Sequence, residues 1–145
     1  MDSKHLDLFK HQIEIKARFM DIDALHHVNN ARYLNFLEEA RIDYCKEVLD
    51  LRFDINQFNI LVARVEIDFI QAILYHETFK ISTRISKIGN KSFEFESVFT
   101  EGEKENIKIL ATAKQILVWM DNKSQSSIRV PDEYRDRIEN YEIKK

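Results

Sequence analysis

A chain of 145 residues has room for one domain with a substantial core and too little for two. Hydrophobic residues make up 44% and charged residues 32%, so a folded globular domain is expected rather than a disordered segment. A net charge of −3, with no basic tract, argues against nucleic acid or an anionic membrane surface as partner.

One cysteine, Cys45, rules out an intramolecular disulfide and suits a reducing compartment. The opening MDSKHLDLFKHQ lacks the apolar stretch of a secretory signal, and no apolar run approaches the roughly 20 residues of a membrane span. A cytoplasmic location is expected. With 2 glycines and 1 proline, the connections should be short and mostly of ordinary backbone geometry.

Residues 9–19 alternate: Phe9, Ile13, Ile15, Ala17 and Phe19 fall on one face, with His11 the exception. That is a strand with one buried side. The alternation breaks at Met20, and Asn29 and Asn30 are N-cap candidates for the next element. From Ala31 to about Leu49 the apolar residues recur at helical spacing, through Tyr33, Leu34, Leu37, Ala40, Tyr44, Cys45 and Val48, with Phe36 and Ile42 widening the stripe. So wide an apolar arc predicts burial against a sheet. Four strands are then predicted over residues 60–70, 78–88, 92–100 and 107–120. Gly89-Asn90, Gly102 and Asp121-Asn122 supply the turns between and after the last three. Pro131 opens a short charged helix. Consecutive strands with tight turns, plus one long helix, make an antiparallel α+β domain spanning residues 1–145.

The chemistry is concentrated in Asp21-Ile-Asp23-Ala-Leu-His26-His27-Val-Asn29-Asn30. Two carboxylates, two imidazoles and two carboxamides lie between a strand and the start of the longest helix. The unpaired N–H groups of that start carry the positive end of the helix dipole and suit an oxygen gaining negative charge. A carboxylate folding back toward the same point would complete a minimal kit for acyl transfer. Plainer readings exist: a polar loop with capping asparagines, and a surface histidine pair. Adjacent histidines diverge in direction and lack the spacing of metal ligands, so no metal is expected.

The segment from Arg18 to Arg41 resembles the signature of hotdog-fold acyl-CoA thioesterases of the 4-hydroxybenzoyl-CoA thioesterase type, and within that group the long-chain acyl-CoA thioesterases. The similarity continues through residues 65–72, 88–93 and 118–121, with Pro131 near its end. The resemblance implies a sheet wrapped around one long central helix, and hydrolysis of acyl-CoA to the free acid and coenzyme A without a cofactor. It places the acid, nucleophile or general base, on Asp23 and not Asp21. It places the amide that polarises the thioester carbonyl on Asn30, and gives His27 an orienting role.

His26 stands where many members have glycine, and its side chain is expected at the mouth of the acyl pocket. Lys91 is expected to meet the coenzyme A phosphates, with Arg84 and Lys87 as candidate helpers, and Ser92 to approach a neighbouring subunit's site. Glu38, Glu39 and Arg41 are expected in intrahelical pairs and interface contacts, and Cys45 in the core. The resemblance also implies a homodimer or homotetramer with sites between chains. Two other classes stand beside the hydrolase: an acyl-CoA or acyl-carrier binding module without turnover, and a dehydratase. The acid at position 23 favours the hydrolase over both.

Overall fold

The computed structural model describes residues 3–51 and 59–143. In chain order the elements are α1 (Ser3–Leu6), β1 (His11–Lys16), α2 (Arg32–Leu49), β2 (Ile60–Phe69), β3 (Thr78–Ile88), β4 (Ser92–Glu101), β5 (Lys108–Asp121), β6 (Ser126–Ser127) and α3 (Asp132–Ile143). The strands form one antiparallel sheet in the order β1-β3-β4-β5-β2, with the two-residue β6 beside β5. The long helix α2 packs across it against β3 and β1, and α3 closes over the far end of α2. This is the antiparallel sheet around a central helix that the sequence predicts, with α1 and β6 added.

The core falls into two apolar clusters along α2. Tyr33, Phe36, Leu37 and Ala40 meet Phe79, Ile81, Phe99 and Ala111 nearer the helix start. Tyr44, Cys45, Val48 and Leu49 meet Ile85, Phe95, Leu117 and Trp119 further along. A buried Leu or Phe contributes roughly 1.5–3 kcal/mol by leaving water. Cys45 is a core residue as expected, its thiol pushed up to about 12 by burial. Tyr44 hydrogen-bonds Glu142 of α3, which also accepts the Ile85 N–H at 2.9 Å, so the last helix is tied to both α2 and the sheet.

Three expectations about burial change. The first strand ends at Lys16, and a 3-10 turn over Phe19–Asp21 rotates the chain, so Phe19 is exposed instead of continuing the buried row. His11, the polar exception, is buried on that row, where its Nε2 bonds the Asp43 carboxylate at 2.9 Å. Leu34 is exposed, because α2 leaves β2 uncovered. Pro131 sits one residue before α3, its carbonyl accepting from Tyr134 and Arg135.

β2 is an edge strand, exposed along most of its length. Its register sets Val62 opposite Leu117, Val65 opposite Gln115, Ile67 opposite Ala113 and Phe69 opposite Ala111, which directs these side chains to the same face as α2. An exposed edge with an apolar inner row invites a further strand or chain to cover it.

Candidate active site

The link from β1 to α2 is a small hairpin. The Asp23 N–H donates to the His27 carbonyl at 3.2 Å, and a bridge pairs Ile22 with Val28. His26 makes the reversal at φ 67°, a left-handed conformation natural to glycine and tolerated better by His than by most residues. A glycine at this position, which the resemblance leads one to expect, would adopt that geometry without strain. The Val28 N–H donates to the Ile73 carbonyl at 2.8 Å and His27 bridges Leu74, so the hairpin is fastened to the loop that precedes β3.

The two aspartates of the hairpin have different surroundings. Asp21 is buried, and Arg18 donates to it from the main-chain N at 2.9 Å, Nε at 3.1 Å and Nη2 at 3.0 Å. Asp23 is only partly buried and faces neutral donors. Its Oδ1 accepts the Leu25 N–H at 2.8 Å, and its Oδ2 accepts from Asn29 Nδ2 at 2.9 Å. The Leu25 bond first, then Asn29 and the charge of His27 and His26, hold its carboxyl below the usual range against the opposing effect of desolvation. Asp23 is therefore ionised at neutral pH.

Asn29 ties that carboxylate to the helix. While its amide donates to Asp23, its Oδ1 accepts the Ala31 N–H at 2.9 Å, and its main-chain carbonyl accepts from Arg32. The expected cap is thus an Asx-type turn one step ahead of the helix, and Ala31 occupies the N-cap position without a side-chain bond. The Asn30 N–H has no acceptor among the described residues. It stands at the positive end of an 18-residue helix. Both aspartates line an open hollow of about 390 Å³, with Met20, Asn29, Arg32 and Asn35 among others. An ionised oxygen linked through Asn29 to the turn that carries an unpaired amide is an arrangement that could attack or hydrate a carbonyl while stabilising its oxygen.

The remaining predicted residues divide. His26 is exposed next to Asp23 in the same hairpin, and His27 is half-buried, its Nδ1 3.4 Å from the Val28 carbonyl and making no bond to Asp23. Lys91 and Ser92 are not brought to Asp23 within one chain. They lie past the Ile88 end of β3, whereas the hairpin adjoins its Thr78 end, roughly 30 Å away at about 3.3 Å per residue. Arg84 is taken up by Glu96 at 2.9 Å and by the ring of Phe9. Glu38 and Arg41 form the expected intrahelical pair, at 3.8 Å.

Sequence reasoning missed two features. One is the bridging role of Asn29. The other is a buried bond from Arg41 to Gln115, signalled in the sequence by a polar residue at an inward position of β5. Among the described residues, His11, Asp43 and Glu47 bring ligand atoms within 4.8 Å of one another and could in principle hold a metal. A metal-bound histidine normally donates its second N–H to an acceptor, and His11 Nδ1 is buried without one. The cluster fits an imidazole–carboxylate hydrogen bond better. No described helix is long and apolar enough to cross a membrane.

Comparison with known proteins finds thioesterases by sequence and by fold. The profile described as "Thioesterase-like superfamily" matches residues 17–138. The long-chain acyl-CoA thioesterase FadM of Escherichia coli (strain K12) is 29% identical over 132 residues, covering 88% of this chain and 96% of that protein. The crystal structure of a thioesterase from Thermus thermophilus, complexed with coenzyme A and Zn, superposes with a TM-score of 0.81 at 28% identity, covering 94% of this chain and 98% of that one. A 4-hydroxybenzoyl-CoA thioesterase complexed with 4-hydroxybenzoyl-CoA shares the fold, with a TM-score of 0.77 at 17% identity, covering 88% and 96%.

Proposed function

This chain belongs to the thioesterase-like superfamily, and on that footing we propose that it hydrolyses acyl-CoA thioesters to the free acid and coenzyme A. The observation that carries the reading is the ionised Asp23 carboxylate, coupled through Asn29 to the helix start where the Asn30 N–H is open. In this reading the thioester oxygen accepts from the Asn30 N–H, and the helix dipole favours the negative charge that gathers there. Asp23 then acts in one of two ways. As nucleophile, its oxygen bonds the carbonyl carbon, the C–S bond breaks, coenzyme A leaves as thiolate, and water hydrolyses the mixed anhydride. As base, it takes a proton from a water that attacks the same carbon. Thiolate is a good leaving group, so neither route needs a strong acid nearby.

His27, which contributes to the low carboxyl pKa of Asp23, orients the hairpin or the substrate, and His26 flanks the entrance. The exposed edge of β2 supports an assembly of two or more copies, in which Lys91 and Ser92 of a second copy would serve the coenzyme A end of the substrate. A cytoplasmic setting goes with the single reduced cysteine. The test is release of free thiol from acyl-CoA by the wild type and by Asp23→Asn. A wild type inactive on every thioester tried overturns the proposal, and full activity in the variant removes Asp23 from its role.

A further inference from the structure

Between the two apolar clusters the core is crossed by polar side chains that the chemistry above does not use. Arg41 on α2 is 11% exposed, and its Nη1 donates to Oε1 of Gln115 at 2.6 Å. Gln115 is 2% exposed. Glu38 lies 3.8 Å from Arg41 Nη2, too far for a good hydrogen bond, and the buried Nε has no acceptor. A guanidinium has five N–H donors, and leaving the buried Nε–H unpaired is costly. An acceptor brought from outside the described residues would offset that cost.

The place from which it would come is set by the helix. Residues turn by about 100° each, so Leu34, Glu38 and Arg41 share one flank, and the bond to Gln115 turns that flank toward β5 and its neighbour β2. Opposite lies the inner row of β2: Phe69 touching the Tyr33 ring with centroids 4.9 Å apart, then Ile67, then Val65 across from Gln115. Leu34, Phe69 and Val65 are 51%, 46% and 37% exposed on this side. A strip thus begins at the first turn of α2, beside Asn30, apolar on its β2 side and at Leu34, and ends where Glu38 and the Arg41–Gln115 pair bring polar groups to it.

We infer that this strip receives the acyl group and that Arg41 with Gln115 forms its polar end, selecting acyl groups of about nine or ten carbons that carry a hydroxyl or carbonyl oxygen at the far end. The inference rests on the thioesterase reading and names the substrate class of that site. Its length follows from the helix: Arg41 comes eleven residues after Asn30, roughly 16 Å along the axis. Its side chain leans back toward the helix start by about one turn, which leaves roughly 11 Å. An extended chain advances about 1.25 Å per carbon, so about nine carbons fill that length. A longer saturated chain must lay methylenes over a guanidinium and a carboxamide, taking water from both and giving no hydrogen bond in return. A terminal oxygen accepts from the open Arg41 donors instead.

The test measures kcat/KM of the full-length protein on hexanoyl-, decanoyl-, 10-hydroxydecanoyl- and palmitoyl-CoA. The hexanoyl chain does not reach Arg41, so its turnover checks the thioesterase reading by itself; its absence, with the other three also inert, sinks both ideas. Given that turnover, 10-hydroxydecanoyl-CoA should exceed decanoyl-CoA by about tenfold or more, and palmitoyl-CoA should be poorest. The double variant Arg41→Met/Gln115→Leu removes both partners and leaves neither orphaned. In it the palmitoyl to 10-hydroxydecanoyl ratio should rise about tenfold. An unchanged ratio in a folded variant overturns the inference. If the variant does not fold, the wild-type series decides, since a wild type that prefers palmitoyl to 10-hydroxydecanoyl overturns it equally.

Discussion

Replacing Asp21 by asparagine separates the buried carboxylate of the hairpin from the one proposed to react. Asp21 accepts three hydrogen bonds from Arg18, at 2.9, 3.1 and 3.0 Å, with Arg32 a further 4.0 Å away. Hydrogen bonds to a charged group are worth about 1.5–3 kcal/mol net, and an exposed ion pair less than about 1 kcal/mol. Arg18 is more than half exposed, so solvent screens its charge and the loss belongs near the lower figure, about 2 kcal/mol. For a domain of this size each kcal/mol lowers Tm by roughly 2–4 °C, so the variant should melt about 4–8 °C lower at neutral pH. The Arg18 bonds hold the Asp21 carboxyl below its usual range in the folded protein. The stability it contributes is therefore present above the ordinary carboxylate pKa and lost as pH falls through the lowered value. Melting curves followed by circular dichroism should show wild type and variant apart at neutral pH and converging in acid. Equal melting temperatures at neutral pH, or a gap that does not narrow in acid, would refute the assignment.

Asp23→Asn should do the opposite, lowering kcat by about 100-fold or more while Tm changes little, since its donors are neutral and its side chain is partly solvated; steady-state kinetics beside a melt checks both halves. The wild-type rate should hold through weakly acidic pH and fall only as pH drops through the lowered Asp23 value, since the ionised form is the one proposed to act; a rate lost already near neutrality would contradict that. His26→Val puts a branched side chain at φ 67° and should cost about 1–2 kcal/mol, whereas His26→Gly should not destabilise, as chemical denaturation would show. Lysines at Leu61 and Val62 together should leave the chain folded but shift it to a smaller species in analytical ultracentrifugation, since copies are proposed to meet at the edge of β2.

The architecture was legible because its signals are periodic. The helix predicted to about Leu49 is observed as Arg32–Leu49, and β3 runs over the predicted residues. Where periodicity misled, it was carried past the end of an element or applied to a face that nothing covers. Phe19 keeps the parity of Ile15 and Ala17, but parity has meaning only along a continuous strand, and the chain leaves β1 at Lys16. Leu34 lies on the edge of the apolar arc of α2, and no pattern within the helix reveals that its neighbour is an uncovered edge strand. His11 was legible as a position and not as a partner, since Asp43 reaches it from the helix through the fold. Lys91 and Ser92 show the same limit more strongly: the hairpin they belong to is plain from Gly89-Asn90, but which site it serves depends on strand direction and on how copies assemble.

The choice between Asp21 and Asp23 shows why a motif does not by itself assign chemistry. Both are carboxylates of one hairpin, two residues apart, and both have their carboxyl pKa lowered. A lowered pKa states only that the anion is stabilised, and the means of stabilisation decides whether it can react. Asp21 is stabilised by a guanidinium that neutralises its charge and occupies both oxygens of a buried carboxylate, so attack on a carbonyl would first require breaking those bonds. Asp23 is stabilised by an amide N–H and a carboxamide, which lower its pKa without cancelling its charge. The same carboxamide ties it to the helix start through Asn29, and, like Asp21, it lines the hollow. An anion held by neutral donors, and tied through Asn29 to the start of the helix, keeps its charge, and on that ground we propose Asp23 as the reacting carboxylate.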